Sequence, residues 1–142
     1  MHDEPKIILL DTHIWLWLMS GAVKAISPKL RALIDKLAPE SRVRISAISA
    51  WEIGILISKN RISLGADPQE YVYRAIRDLN TGVEAITAEI AMGSAFLPEG
   101  LHGDPADRIL IATAKHMGAA LITHDKEILS YSKKHGLSAM SL

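Results

Sequence analysis

Four short runs of strand length, KIILL (6–10), RVRIS (42–46), VEAIT (83–87) and AALIT (119–123), alternate with segments whose apolar residues recur at helical spacing. In SPKLRALIDKL, Ser27 is placed to cap a helix, Pro28 suits its first position, and Leu30, Leu33, Ile34 and Leu37 share one face. SAWEIGILISKN (49–60) reads as a helix apolar around most of its circumference, and is expected to be buried. DPQEYVYRAIRDL repeats the Asp-Pro start, with Tyr71, Val72, Ala75, Ile76 and Leu79 on a stripe. AEIAMGSAFL gives a further short helix, and DPADRILIATAKHMG a helix capped at Asp104 and ended at Gly118. DKEILSYSKKHG follows the fourth run, and LSAMSL (137–142) offers a fifth strand. Alternation of this kind predicts an α/β fold: a central parallel sheet of four to five strands with helices on both faces.

At 142 residues the chain fits one domain, spanning 1–142. No apolar run approaches the ~20 uncharged residues of a membrane span, and MHDEPK at the start lacks the basic and apolar regions of an export signal. With no cysteine there are no disulfides or thiolate metal sites, which fits a reducing cytoplasm. Sixteen Lys plus Arg balance sixteen Asp plus Glu, so bulk charge does not advertise a nucleic-acid binder. Any such binding must be local, or must use metal ions to manage phosphate charge.

In parallel α/β sheets the carboxyl ends of the strands meet in one crevice, where ligands bind. Asp11 follows the first strand and Asp125 follows the fourth, while Glu52 and Asp107 are expected in the first turns of helices at the same edge. Each acid also has an ordinary use. Asp11, Asp104 and Asp125 can cap the helices that follow them, Ser49 to Glu52 spells a capping box, and Asp107 suits a helix dipole. Joint placement argues for more. Carboxylates at 4 Å repel by about 4 kcal/mol per pair at an effective dielectric near 20, so a cluster must take up protons or bind cations. Hard oxygen ligands favour Mg²⁺ or Mn²⁺, and one or two such ions suit phosphodiester hydrolysis, activating water and stabilising the pentavalent phosphate.

LLDTHIWLWL, SAISAWEIGIL and HGDPADRILIATAKHMGAALITHD, in that order and spacing, resemble the motifs of PIN-domain nucleases, and among them the VapC-type toxins of bacterial toxin-antitoxin pairs. The resemblance covers nearly the whole chain. It implies a PIN fold, Mg²⁺ or Mn²⁺ dependence, endonucleolytic cleavage of RNA, dimerisation, and neutralisation by a small cognate antitoxin in a hetero-oligomer. Asp11, Glu52, Asp107 and Asp125 match the family's four acids. Asp104 belongs to the DPxDR form of the third motif and ranks after Asp107 as a ligand, and Thr123 matches a family hydroxyl near the site. His124 departs from the arginine many relatives carry. Arg108 is a candidate for a substrate phosphate, or a surface arginine paired with Asp104.

Two rival readings remain open. DTH followed by GDPAD resembles the start of calcineurin-like metallophosphoesterases, although the G-N-H segment is absent, the gap from Asp11 to Asp104 is long and the chain is short. A non-catalytic PIN module that only holds RNA or a partner would keep the same fold. Trp15 and Trp17 lie about 200° apart on a helix and cannot share a face. One belongs to the core, and the other is expected beside a groove that receives an apolar partner segment, with base stacking a lesser option. The SKNR and KKHG segments are expected to be solvated helix ends.

Overall fold

The computed structural model describes residues 4–65, 67–101 and 103–142. Its elements in chain order are β1 (Ile8–Leu10), α1 (Thr12–Ser20), α2 (Pro28–Leu37), β2 (Val43–Ser46), α3 (Ala47–Ser58), α4 (Pro68–Asp78), β3 (Gly82–Glu84), α5 (Ala88–Ala95), α6 (Pro105–Met117), β4 (Ala120–Ile122), α7 (Lys126–Lys134) and β5 (Ala139–Met140). Single 3₁₀ turns follow α1 and α2. The strands form one sheet in the order β3-β2-β1-β4-β5, and every neighbouring pair is parallel. β1 is therefore central, with Ile8 opposite both Val43 and Ala120. Its ladder runs one bond further than the strand, because the Asp11 amide donates to Ile122 O at 2.9 Å.

Alternation along the strands builds two cores. Ile8, Leu10, Val43, Ile45 and Ile122 face a layer that holds Ile14, Trp15, Leu30, Leu33 and Ile53 from the helices. Leu9 and Leu121 point the other way, against Leu110, Ile111 and Ile128. The period-two geometry of a strand forces this split, and a strand covered on both faces reads as a continuous apolar run. Each fully buried Leu or Ile contributes about 1.5–3 kcal/mol of transfer free energy, so the short strands are held chiefly by their faces.

Three expectations change. The strands are shorter than the runs that announced them, since Lys6, Ile7 and residues 85–87 lie outside β1 and β3. α3 begins at Ala47, with Ser46 as N-cap accepting from Ile48 N at 3.1 Å. Ser49 to Glu52 is thus no capping box, and Glu52 sits in the second turn rather than the first. α3 is also not buried: it packs on α1, α4 and α6, which enclose Ser49 and Ile53 but leave Trp51 60% exposed. An apolar circumference does not dictate burial when neighbours cover one side only. No described helix is long and apolar enough to cross a membrane.

Candidate acidic active site

Asp11 leaves the end of β1 in extended conformation (φ −61°, ψ 154°) and caps α1. Its Oδ1 accepts from Thr12 N at 2.7 Å, and its Oδ2 accepts from Thr123 Oγ1 at 2.6 Å. Thr123, at the end of β4 and fully buried, takes the Asp125 amide on the same oxygen at 3.0 Å. Two adjacent strand ends thereby fix one carboxylate from both sides, and capping and site formation turn out to be one act. Asp11 is 8% exposed, with its charge met by an amide and a hydroxyl.

Glu52 approaches from α3. Its Oε1 accepts the Thr12 hydroxyl at 2.6 Å, and Thr12 Oγ1 lies 2.7 Å from Ser49 Oγ. Burial pushes the Glu52 carboxyl above the usual carboxylate range. The Thr12 hydrogen bond opposes this, the negative charges of Asp104 and Asp11 add to it, and His13 works against it. Asp104 caps α6 by accepting from Ala106 N at 2.9 Å and Asp107 N at 3.4 Å. Asp125 caps α7 by accepting from Glu127 N at 2.9 Å and Ile128 N at 3.1 Å. Three of the acids are caps, as their ordinary readings expected, and all five acids still meet. Asp11, Glu52, Asp104, Asp107 and Asp125 line a single open pocket of about 380 Å³ with Thr12, His13, Ile14, Trp17 and His124.

Among the described residues no lysine or arginine lines that pocket, and no three acidic or histidine side chains stand close enough to hold a metal ion as they lie. The donor set nonetheless fits a hard dication. Oxygen donors of like charge gather from four chain segments around open space, the elevated Glu52 reports part of their repulsion, and Mg²⁺ keeps several waters rather than demanding a full protein cage.

Thr12 was not singled out from the sequence, and Ser49 was read there only as a helix cap. Thr12 follows the first acid directly, and Ser49 lies three residues before Glu52, on the same helix face. Their contact across 37 positions had no local signal. Arg108 donates from Nε to Ser94 O at 3.0 Å and from Nη2 to Ala95 O at 3.5 Å, closing the end of α5. Trp15 is the core tryptophan, fully buried, and among the described residues its Nε1 has no hydrogen-bond partner. Trp17 is half-buried, with ring centroids 6.4 Å from His13 and 5.8 Å from His124. It borders both the acidic pocket and a neighbouring groove of about 630 Å³ lined by Leu18, Ile26 and Pro28, with Lys24 and Arg31 at its edge. His102 of the HGDPAD segment lies outside the described residues.

A parallel sheet that gathers acids at its carboxyl edge in this way is the architecture of a PIN domain. Residues 8–134 match the PIN domain family, and the chain belongs to it. It is similar to the ribonuclease VapC22 of Mycobacterium tuberculosis, 29% identical over 126 residues that span 87% of this chain and 91% of that protein. Among solved structures, VapBC2 from Rickettsia felis bound to a DNA fragment from their promoter matches with a TM-score of 0.67 at 16% identity, covering 95% of this chain and 98% of that one. A toxin-antitoxin complex from Klebsiella pneumoniae matches with a TM-score of 0.55 at 22% identity, covering 87% and 90%. At such identities these structures share the fold.

Proposed function

We propose that this PIN domain is a metal-dependent endoribonuclease using Mg²⁺ or Mn²⁺, the toxin of a cytoplasmic toxin-antitoxin pair neutralised by a small cognate antitoxin. The observation that carries the proposal is the gathering of five carboxylates in one pocket that, among the described residues, no lysine or arginine lines. The relatives support its direction, one being a ribonuclease and others toxin-antitoxin complexes.

Asp11 is the central ligand, with Asp107 and Asp125 beside it and Asp104 next in line. Thr123 holds the outer oxygen of Asp11. A bound dication supplies Lewis acidity, which makes water a nucleophile near neutral pH and balances charge on the phosphate. Glu52 binds a second ion or orients the attacking water. Its Oε1 is taken by Thr12, which leaves Oε2 to accept the water's proton. The phosphodiester P–O bond breaks as the new one forms, and the leaving oxygen ends protonated. The groove beside Trp17 takes an apolar antitoxin segment, and Trp51, Met92 and Phe96, all more than half exposed, leave apolar surface for a homodimer.

Purified protein incubated with RNA in Mg²⁺ is expected to give fragments that disappear in EDTA and in an Asp11→Asn/Asp107→Asn double variant. Identical fragments from wild type and double variant would overturn the assignment, while RNA binding without cleavage would return the non-catalytic module. Survival of activity in His13→Ala, with loss in Asp11→Asn, separates the proposal from a metallophosphoesterase.

A further inference from the structure

We infer that Thr12 and Ser49 are positioning residues that lock Asp11 and Glu52 into one unit; this rests on the acidic pocket being the metal and phosphate site. Thr12 stands between two carboxylates that repel each other, and it gives one donor to each. Its backbone N–H goes to Asp11 Oδ1 at 2.7 Å and its hydroxyl to Glu52 Oε1 at 2.6 Å. The amide contact is a helix cap that any residue would supply. The hydroxyl contact is not: it leaves α1 altogether and reaches across to α3.

Proton counting fixes the order of the chain. A hydroxyl has one proton, and that of Thr12 is committed to Glu52. Ser49 Oγ, 2.7 Å from Thr12 Oγ1, therefore donates to Thr12. The direction runs Ser49 to Thr12 to Glu52, beginning and ending on α3, so the helix orients its own carboxylate through a residue of α1. Both hydroxyl residues are almost wholly buried, Ser49 at 0% exposed and Thr12 at 3%. Successive hydrogen bonds in such surroundings polarise one another. Without the Thr12 hydroxyl, Glu52 keeps its burial and its repulsion from Asp11 and Asp104 but loses the contact that opposes them.

The experiment compares Thr12→Val, Thr12→Ser and Ser49→Ala with wild type. Mn²⁺ binding is measured by titration calorimetry without RNA, followed by cleavage of an RNA the wild type cuts. Thr12→Val, of similar shape without the hydroxyl, is expected to weaken Mn²⁺ binding and cleavage by about tenfold or more, the range for partners that orient ligands. Thr12→Ser is expected to restore most of both. Ser49→Ala is expected to weaken them several-fold, and it keeps the test sound if Thr12→Val fails to fold, because alanine favours a helix. Wild-type Mn²⁺ affinity in Ser49→Ala and in any folded Thr12→Val overturns the inference, as does Thr12→Ser behaving like Thr12→Val, which would make the methyl the important group. If no RNA is cut but the Mn²⁺ series holds, the endoribonuclease assignment falls and the positioning role stands. Wild type that binds no Mn²⁺ overturns both.

Discussion

Glu52 is the acid whose surroundings work against its charge. Half-buried near Asp11 and Asp104, it is held above the usual carboxylate range. Below the unfolded-state pKa, near 4.3, Glu52 is neutral in both states. Above it the unfolded chain releases its proton first, so the stability contributed by neutral Glu52 is lost as pH rises through the folded-state value. Glu52→Gln removes this dependence and keeps an oxygen for Thr12. In EDTA the variant should melt higher than wild type at pH 7, by about 1–3 °C given the solvent screening of a half-exposed group, with the gap closing near pH 4. Scanning fluorimetry across that range checks it. The same variant should lose cleavage by about a hundredfold or more if Glu52 takes the water's proton, a trade of stability for activity at one residue.

Between elements, the sequence was informative where covalent neighbours settle the matter and silent where contacts decide. Alternating strand and helix patterns announced the parallel sheet, and Asp11 was legible because a carboxylate directly after a buried strand lands at the carboxyl edge. The start of α3 was not, since SAISAWE offers both Ser46 and Ser49 as caps. Pairing of Ser46 with Glu84 on β3 ends the strand there and decides for Ser46. The role of Arg108 depends on where α5 stops, which its own helix does not encode. Arg44 of β2 and Glu84 of β3 form a half-buried ion pair at 2.8 Å, and the guanidinium lies over Gly82, where an added Cβ would come within 2.0 Å of Arg44 Nη1. Gly82→Ala should displace the guanidinium and cost about 1 kcal/mol by urea unfolding; in an Arg44→Met background it should become neutral or stabilising, because Ala is the better strand residue. Arg108→Ala should lose about 1 kcal/mol by freeing the end of α5 while KM is unchanged. A raised KM with an unaltered melt would instead assign that guanidinium to substrate phosphate.

Over the whole molecule, charge is balanced at sixteen against sixteen, yet the carboxyl edge of the sheet concentrates one sign. Such a molecule has little long-range attraction for RNA, and on the metal-dependent function proposed above a cation would convert its crevice from repelling phosphate to binding it. The acids arrive from the end of β1, from α3 and from the starts of α6 and α7. An ion held among them would tie these elements together at one edge of the sheet, so its binding free energy would become folding free energy. At an Mg²⁺ concentration a hundred times its Kd, linkage gives about 2.7 kcal/mol, which for a chain of this size raises Tm by roughly 10 °C. EDTA should reverse the rise, and K⁺ at matched ionic strength should not reproduce it. The Asp11→Asn/Asp107→Asn variant should gain almost nothing from Mg²⁺. A variant that gains as much as wild type would place the stabilising ion elsewhere on the protein.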